Sequence, residues 1–262
     1  MIIETKNLSF AYGERKILKN IDFRAKEGEL VAVLGPNGAG KSTLFRCMLK
    51  LLKGYDGQIE IGGRDTRTMS AVEIARKIAY IPQNASPIFN YTVEDTVLMG
   101  TTSGLGLLQM PGEEQREATY KALGMLGIEK LAGRGINRIS GGERQLAMIA
   151  RAMVQKAKII IMDEPTANLD YGNQMRVMEM ISTLGKEGYT LVMSTHNPEQ
   201  ALLFADTAFT LKDGRVLSHG DADKVLNDEI MESLYSVDVR IYDHQIEGRK
   251  VRTCVPLGYR HH

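Results

Sequence analysis

The stretch that begins at Leu30 constrains the fold of this chain more than any other. Five apolar residues, Leu30-Val31-Ala32-Val33-Leu34, run straight into Gly35-Pro36-Asn37-Gly38-Ala39-Gly40-Lys41-Ser42-Thr43, and apolar residues at helical spacing follow (Leu44, Met48, Leu49, Leu52) as far as Gly54. The middle segment has the form G-x-x-x-x-G-K-S/T, in the strand-to-helix setting that form requires. Its glycines let backbone N–H groups wrap an anion, and the start of the following helix adds its dipole. Lys41 contributes a point charge, and Ser42 a hydroxyl able to ligate Mg²⁺. A short apolar run that feeds a helix through such a loop reads as a buried parallel strand. The chain is therefore expected to be α/β, organised around a phosphate-binding strand, loop and helix.

A second apolar run, Ile159-Ile160-Ile161-Met162, ends in Asp163-Glu164. Unpaired carboxylates at the end of a buried strand are costly to desolvate, so their presence asks for a partner. A bound Mg²⁺ provides one for Asp163. Glu164, one residue on, points elsewhere and is placed to polarise an attacking water, which favours hydrolysis over simple nucleotide binding.

Residues 138–153, RISGGERQLAMIARAM, carry Leu146, Ile149, Ala150 and Met153 at helical spacing, with Arg144 and Arg151 on the opposite face. Ser140-Gly141-Gly142, three poor helix formers, stand immediately before this helix. Short residues there are expected to leave the first backbone N–H groups uncovered, which makes the helix start an anion site.

The rest of the chain sets bounds. With 33 basic against 32 acidic residues in 262 and a formal net charge of +1, it lacks the positive excess that nucleic acid selects, and no nucleic-acid partner is expected. No run approaches the roughly 18 apolar residues of a membrane span. The sequence MIIETK at its start has no signal-peptide pattern. Cys47 and Cys254 have no metal or redox spacing and read as packing residues in a reducing compartment. The His261-His262 pair is too short for a metal site, and the 14 methionines read as core and interface filler. Strand-like runs at Ile2–Phe10, Ile17–Phe23, Ala79–Ile81 and Thr190–Ser194 join those above, with a helix from about Gln174 to Lys186. Residues 92–156 carry helical spacing only, broken by a Gly- and Pro-bearing loop around 103–112. That block reads as an inserted helical subdomain, about 88–156, within a domain spanning 1–236. Alternation at Val237, Val239 and Ile241, and again at Val251, Thr253 and Val255, predicts a hairpin in 237–262 that turns near Gly248.

The phosphate loop, the strand ending in Asp163-Glu164, and Ile139-Ser140-Gly141-Gly142-Glu143 together make the chain similar to the ATP-binding-cassette ATPases. The resemblance covers about residues 2–235, with the motifs in the family's order. It implies a P-loop NTPase cassette with a mixed sheet core, an N-terminal antiparallel β subdomain and the helical insert, binding ATP and Mg²⁺. Tyr12 falls where the family stacks an aromatic on adenine. Gln83 matches the glutamine loop, and Ser42, Gln83 and Asp163 take the Mg²⁺ positions. Asn168-Leu169-Asp170 matches the loop after the catalytic Glu164, and His196 the switch histidine. Ser140, Gly141 and Gly142 match the signature that contacts the γ-phosphate of ATP on the other subunit, which implies an ATP-dependent homodimer. Glu143 departs from the commonest form, which has Gln. An acid in a first helical turn suits the dipole, but it adds negative charge near a triphosphate.

The resemblance further implies two separate transmembrane permease subunits, reached from the cytoplasmic face of the membrane, and indirectly a substrate-binding protein. Phe89-Asn90-Tyr91-Thr92-Val93-Glu94-Asp95-Thr96-Val97-Leu98-Met99-Gly100 and Asp170-Tyr171-Gly172-Asn173-Gln174 look like the importers of iron chelates, haem, cobalamin and related metal compounds. Zinc and molybdate importers are the near alternative, and a soluble mechanical ATPase is the more distant one. Residues 84–100, after Gln83, are expected to supply a groove for a short helix of the membrane subunit, with Asn90 and Tyr91 lining it and Glu94 and Asp95 nearby.

Overall fold

Apolar and polar residues alternate at the start of the chain with the period of a half-buried strand. In the computed structural model, which describes residues 2–83, 90–105 and 109–259, β1 (Ile3–Tyr12) and β2 (Arg15–Ala25) form an antiparallel hairpin with Tyr12 opposite Arg15. Then β3 (Leu30–Leu34), buried along its whole length, leads into α1 (Lys41–Met48). This helix stops short of Leu52, the last residue with helical apolar spacing. Lys50 takes φ +56° and the N–H of Leu51 returns to the Arg46 carbonyl at 2.9 Å, a left-handed closure that satisfies the last carbonyls of the helix. Lys50 Nζ also donates to the carbonyls of Arg67 and Met69, which fixes the turn from outside the helix. Two further strands, β4 (Asp56–Ile61) and β5 (Arg64–Asp65), complete an antiparallel sheet in the order β2-β1-β4-β5.

The chain divides into two compact units, Met1–Met69 with Thr190–His262, and Ser70–Tyr189. The second holds α2 (Ala71–Ala75), β6 (Ile78–Ile81), α3 (Val93–Leu98), α4 (Glu113–Met125), α5 (Gly141–Val154), β7 (Ile159–Asp163) and α6 (Tyr171–Lys186). Strands β6 and β7 pair in parallel, with Ile81 beside Met162. The unit thus takes in two strands as well as the helical block between them. On α5, Leu146, Ile149, Ala150 and Met153 are all buried, and so are Ala147 and Met148. The apolar surface is wider than the stripe in the sequence, as suits a helix enclosed on several sides. Arg144 is half-buried and only Arg151 of the expected polar face is exposed.

The chain then returns to the first unit with β8 (Thr190–Thr195), α7 (Pro198–Phe204), β9 (Thr207–Lys212), β10 (Arg215–Asp221), α8 (Ala222–Val225) and α9 (Asp228–Tyr235). Here β3 lies between β8 and β9 and is parallel to both, while β9 and β10 are antiparallel, so this sheet is mixed. The β9–β10 turn is Asp213-Gly214, both at positive φ, the chemistry a two-residue hairpin needs. The last strands, β11 (Val237–Ile246) and β12 (Arg249–Tyr259), turn at Glu247-Gly248 in the same way. Arg252 anchors this hairpin by donating to the Leu226 carbonyl at 2.8 Å and to Asp243 at 3.1 Å.

In the first unit an aromatic cluster joins three strands. Phe23 on β2 meets Phe209 on β9 edge-on at 5.1 Å, and the His219 ring on β10 lies parallel to Phe23 at 5.7 Å and 4°. His219 Nε2 donates to the Arg24 carbonyl at 3.1 Å, and burial holds this imidazole below its ordinary pKa. The unfolded chain therefore binds a proton that the folded ring resists, so stability falls as pH drops below the ordinary imidazole value. The thermal midpoint is expected to fall more steeply in the native chain than in His219→Phe between about pH 7.5 and about pH 5.5. Parallel slopes in a pH series of melting curves would show that the ring does not carry this dependence.

Candidate active site

Each unit gathers its own set of functional side chains at the carboxyl ends of parallel strands, where α/β sheets bind ligands. In the first unit Leu34 of β3 sits beside Thr195 of β8, so Gly35 and His196 leave the sheet at the same end. Gly38 and Gly40 take φ +82° and +111°, backbone that L side chains rarely adopt. A Cβ on Gly35 would overlap the Leu211 carbonyl, and one on Gly40 would come within 2.9 Å of Leu18. The loop through Pro36, Asn37 and the buried Ala39 is therefore crowded at its two ends, at Gly35 and Gly40, while Gly38 is held to glycine by its backbone conformation. Gly40 caps α1 with no side-chain hydrogen bond, leaving the first N–H groups of the helix to a ligand. Lys41, 5% exposed, curls over the loop and donates Nζ to the carbonyls of Gly35 at 2.7 Å and Pro36 at 3.2 Å. Ser42 and Thr43 follow, half-buried, in the first turn. Tyr12 is 46% exposed, with its ring perpendicular to that of Phe10 at 4.9 Å. His196 is exposed, and Tyr235 of α9 donates to its carbonyl at 3.0 Å. That support comes from a helix outside every motif.

In the second unit the parallel pairing of β6 and β7 brings Gln83 and the Asp163-Glu164 pair out at one end. Asp163, the last residue of β7, is 3% exposed. Glu164 takes φ +49°, a left-handed conformation costing a non-glycine residue about 1 kcal/mol or more and concentrated at functional positions. Gln83 Nε2 donates to Glu164 Oε2 at 2.9 Å. Two residues 81 apart in sequence thus share one hydrogen bond, and it holds the carboxylate in place.

The start of α5 corrects one expectation. Its first N–H groups are not all uncovered: Ser140 Oγ accepts from the Glu143 N–H at 3.3 Å, and the Glu143 carboxylate accepts from the Ser140 N–H at 2.8 Å. This reciprocal capping box follows from serine and glutamate three residues apart. It also explains Glu143, whose carboxylate turns back onto Ser140. Donation to this carboxylate by the Ser140 backbone N–H, and then by the Ser140 hydroxyl, holds its pKa below the ordinary carboxylate value. A glutamine there would make the same box. Gly141 and Gly142 contribute the N–H groups at the very front of the helix, where no intrahelical carbonyl reaches. Asp170 is also committed locally, capping α6 by accepting from Asn173. The hydrogen bonds from Asn173 keep its carboxyl pKa low.

Of the expected membrane-facing groove, residues 84–89 lie outside those described. Asn90 packs where a Cβ on Gly135 would stand. Glu94 accepts from Arg116 and from Tyr120, each at 2.9 Å, and Asp95 caps α3 through Thr92. Both acids serve the unit's own structure, and reversing their charge would disturb α3 and α4 themselves. Asn90 and Tyr91 are exposed.

The site is that of a phosphate-binding ATPase of the P-loop kind, and comparison with known proteins places it further. Residues 18–167 match the model of the ABC transporter family. The chain is 40% identical to an ABC transporter ATP-binding protein of Haemophilus influenzae, over 90% of this chain and 89% of that one. It is 32% identical to the ferric enterobactin transport ATP-binding protein FepC of Escherichia coli, over 97% of this chain and 93% of that one. Among solved structures, a metal-chelate type ABC transporter in an inward-facing conformation matches with TM-score 0.87 and 30% identity, covering 98% of this chain and 97% of that one. The dimeric structure of a bacterial ABC transporter cassette matches with TM-score 0.73 and 32% identity, covering 84% of this chain and 98% of that one. The chain belongs to the ABC transporter family, as an ATP-binding cassette that hydrolyses ATP. Among the described residues no helix is long and apolar enough to cross a membrane.

Proposed function

We propose that this cassette is the ATPase subunit of an importer for ferric siderophores or related metal chelates, working as an ATP-dependent homodimer beneath two permease subunits at the cytoplasmic face of the membrane. The match to FepC and to a metal-chelate type transporter across nearly the whole chain is the observation that carries this reading. A substrate-binding protein would deliver the chelate to the permeases.

The residues fit the nucleotide they are assigned. Gly35 and Gly40 leave no space for side chains, Lys41 stands over the loop with its charge, and the uncapped start of α1 presents amides to phosphate. Tyr12 offers a ring face for a purine. Ser42, Asp163 and Gln83 are hard oxygen donors of the kind Mg²⁺ takes together with phosphate oxygens and water. When bound, Mg²⁺ would neutralise charge that develops on the phosphates. Glu164 holds the attacking water and accepts its proton, oriented by Gln83, and His196 is assigned to the same phosphate. In the dimer the Ser140–Gly142 turn of one chain meets the nucleotide held by the phosphate loop of the other, so hydrolysis opens the pair.

Uptake of iron-labelled siderophores by cells lacking this chain tests the reading. The native chain is expected to restore uptake and Lys41→Ala to leave it absent. Unimpaired siderophore uptake in the deletion, with loss of zinc or molybdate uptake instead, would overturn the substrate class.

A further inference from the structure

The front of α5 and the loop that follows β7 meet inside the second unit, and the side chain of Asn173 stands between them. Asn173, in the first turn of α6, donates its backbone N–H to one oxygen of Asp170 at 2.9 Å and its Nδ2 to the other at 2.7 Å. The remaining side of the same amide faces α5. A Cβ on Gly142 would stand 2.5 Å from Asn173 Oδ1, 2.7 Å from Cγ and 3.0 Å from Cβ. A Cβ on Gly141 would come within 3.2 Å of Leu169, in the same loop as Asp170. Neither glycine has positive φ, so the backbone conformation does not demand glycine here. Space does at Gly142, where Asn173 occupies most of it.

An N-cap needs only the backbone N–H of the third residue, which Asp170 already receives. The second bond, from the amide side chain, takes up the carboxylate's other oxygen and fixes the orientation of the whole amide against Gly142. We propose that Asn173 is a positioning residue for ATP hydrolysis: it clamps Asp170 and sets the spacing between the Ser140–Gly142 turn and the 168–170 loop. The two segments then present to the nucleotide as one rigid surface. The inference rests on the reading of Ser140–Gly142 as a turn that contacts nucleotide.

The test uses the full chain and three variants: Asn173→Ala, Gly142→Ala and the double substitution. Each is measured for ATP affinity of the monomer, ATP-dependent dimerisation by size exclusion, kcat and thermal midpoint. Asn173→Ala is expected to leave monomer affinity within about twofold and to weaken dimerisation. Its kcat should fall by roughly tenfold, inside the hundredfold that an ångström of misplacement can cost. Gly142→Ala, whose new methyl meets the amide, is expected to fall further. The double variant removes that amide and keeps only the Cβ of position 173 near the new methyl, so dimerisation and kcat should recover to the level of Asn173→Ala alone. A side chain that served only to cap α6 would lower the thermal midpoint without this rescue. No recovery in the double variant, with Gly142→Ala impaired, overturns the inference and leaves the reading of the turn standing. Full dimerisation and turnover in Gly142→Ala would overturn that reading and the inference with it. Should Gly142→Ala fail to fold, an unchanged kcat in Asn173→Ala alone is the overturning result.

Discussion

In Glu164→Gln, ATP hydrolysis is expected to fall by about 10²–10⁴-fold, the worth of a positioned general base, while ATP binding survives. The substitution keeps the size of the side chain. It also keeps an oxygen to accept the Gln83 amide, which donates to Glu164 at 2.9 Å, so the orientation of the group is preserved and only its basicity is lost. The left-handed backbone at φ +49° is equally available to glutamine and glutamate. The variant should therefore close on ATP and stall, accumulating as a dimer that the native chain forms only briefly. Asp163→Asn should behave differently: it removes a charge assigned to Mg²⁺, so tight binding and hydrolysis decline together. Size-exclusion chromatography in ATP and Mg²⁺, beside a phosphate-release assay, separates the two. Near-normal turnover in Glu164→Gln would move the base elsewhere, with His196 next in line. Loss of nucleotide binding would instead place Glu164 among the metal ligands.

The parts of this site that were legible in the sequence are those where local chemistry is decisive. Gly35 to Thr43 announces itself because the apolar period changes across it, from strand to helix, and because glycine, lysine and serine each have one physical reason to be there. The Asp163-Glu164 pair stands out because charge at the end of a buried strand needs a partner. The start of α5 was half legible. Ser140 and Glu143, three apart, already spell the capping box, while glycine at 141 and 142 suggests uncovered amides; the structure closes the box across that turn. Other features depend on what the fold brings near. Nothing around Leu52 reveals that Lys50 will be tied down by carbonyls from residues 67 and 69. Asn173 is legible only as one residue of the Asp170–Gln174 stretch until Gly142 is found beside it, and Tyr235 has no visible link to His196 until α9 is in place. Helix ends and second-layer contacts are set by tertiary partners, which local propensity does not encode.

In Lys41→Ala, ATP affinity is expected to fall by about tenfold to a hundredfold, which corresponds to roughly 1.5–3 kcal/mol for a charge-assisted hydrogen bond. Two effects act in the same direction. The direct one is loss of the ammonium assigned to the β- and γ-phosphates. The second comes from the loop itself, because Lys41 Nζ also bridges the carbonyls of Gly35 and Pro36 at 2.7 and 3.2 Å. Without that bridge the loop keeps its glycine turns but loses the tie from helix to entry strand, so some order must be imposed when ATP binds. Lys41→Arg distinguishes the two effects. Arginine retains the charge and donors, but its planar fork is bulkier than an ammonium in a place only 5% exposed. Affinity in Lys41→Arg close to that of Lys41→Ala would show that fit within the loop governs binding, whereas recovery toward the native value would show that charge does. Calorimetry with ATP on all three chains, with circular dichroism to establish that each is folded, measures this directly. Unchanged affinity in folded Lys41→Ala would remove the phosphate loop from the site, because no other side chain in the 35–43 segment carries a positive charge.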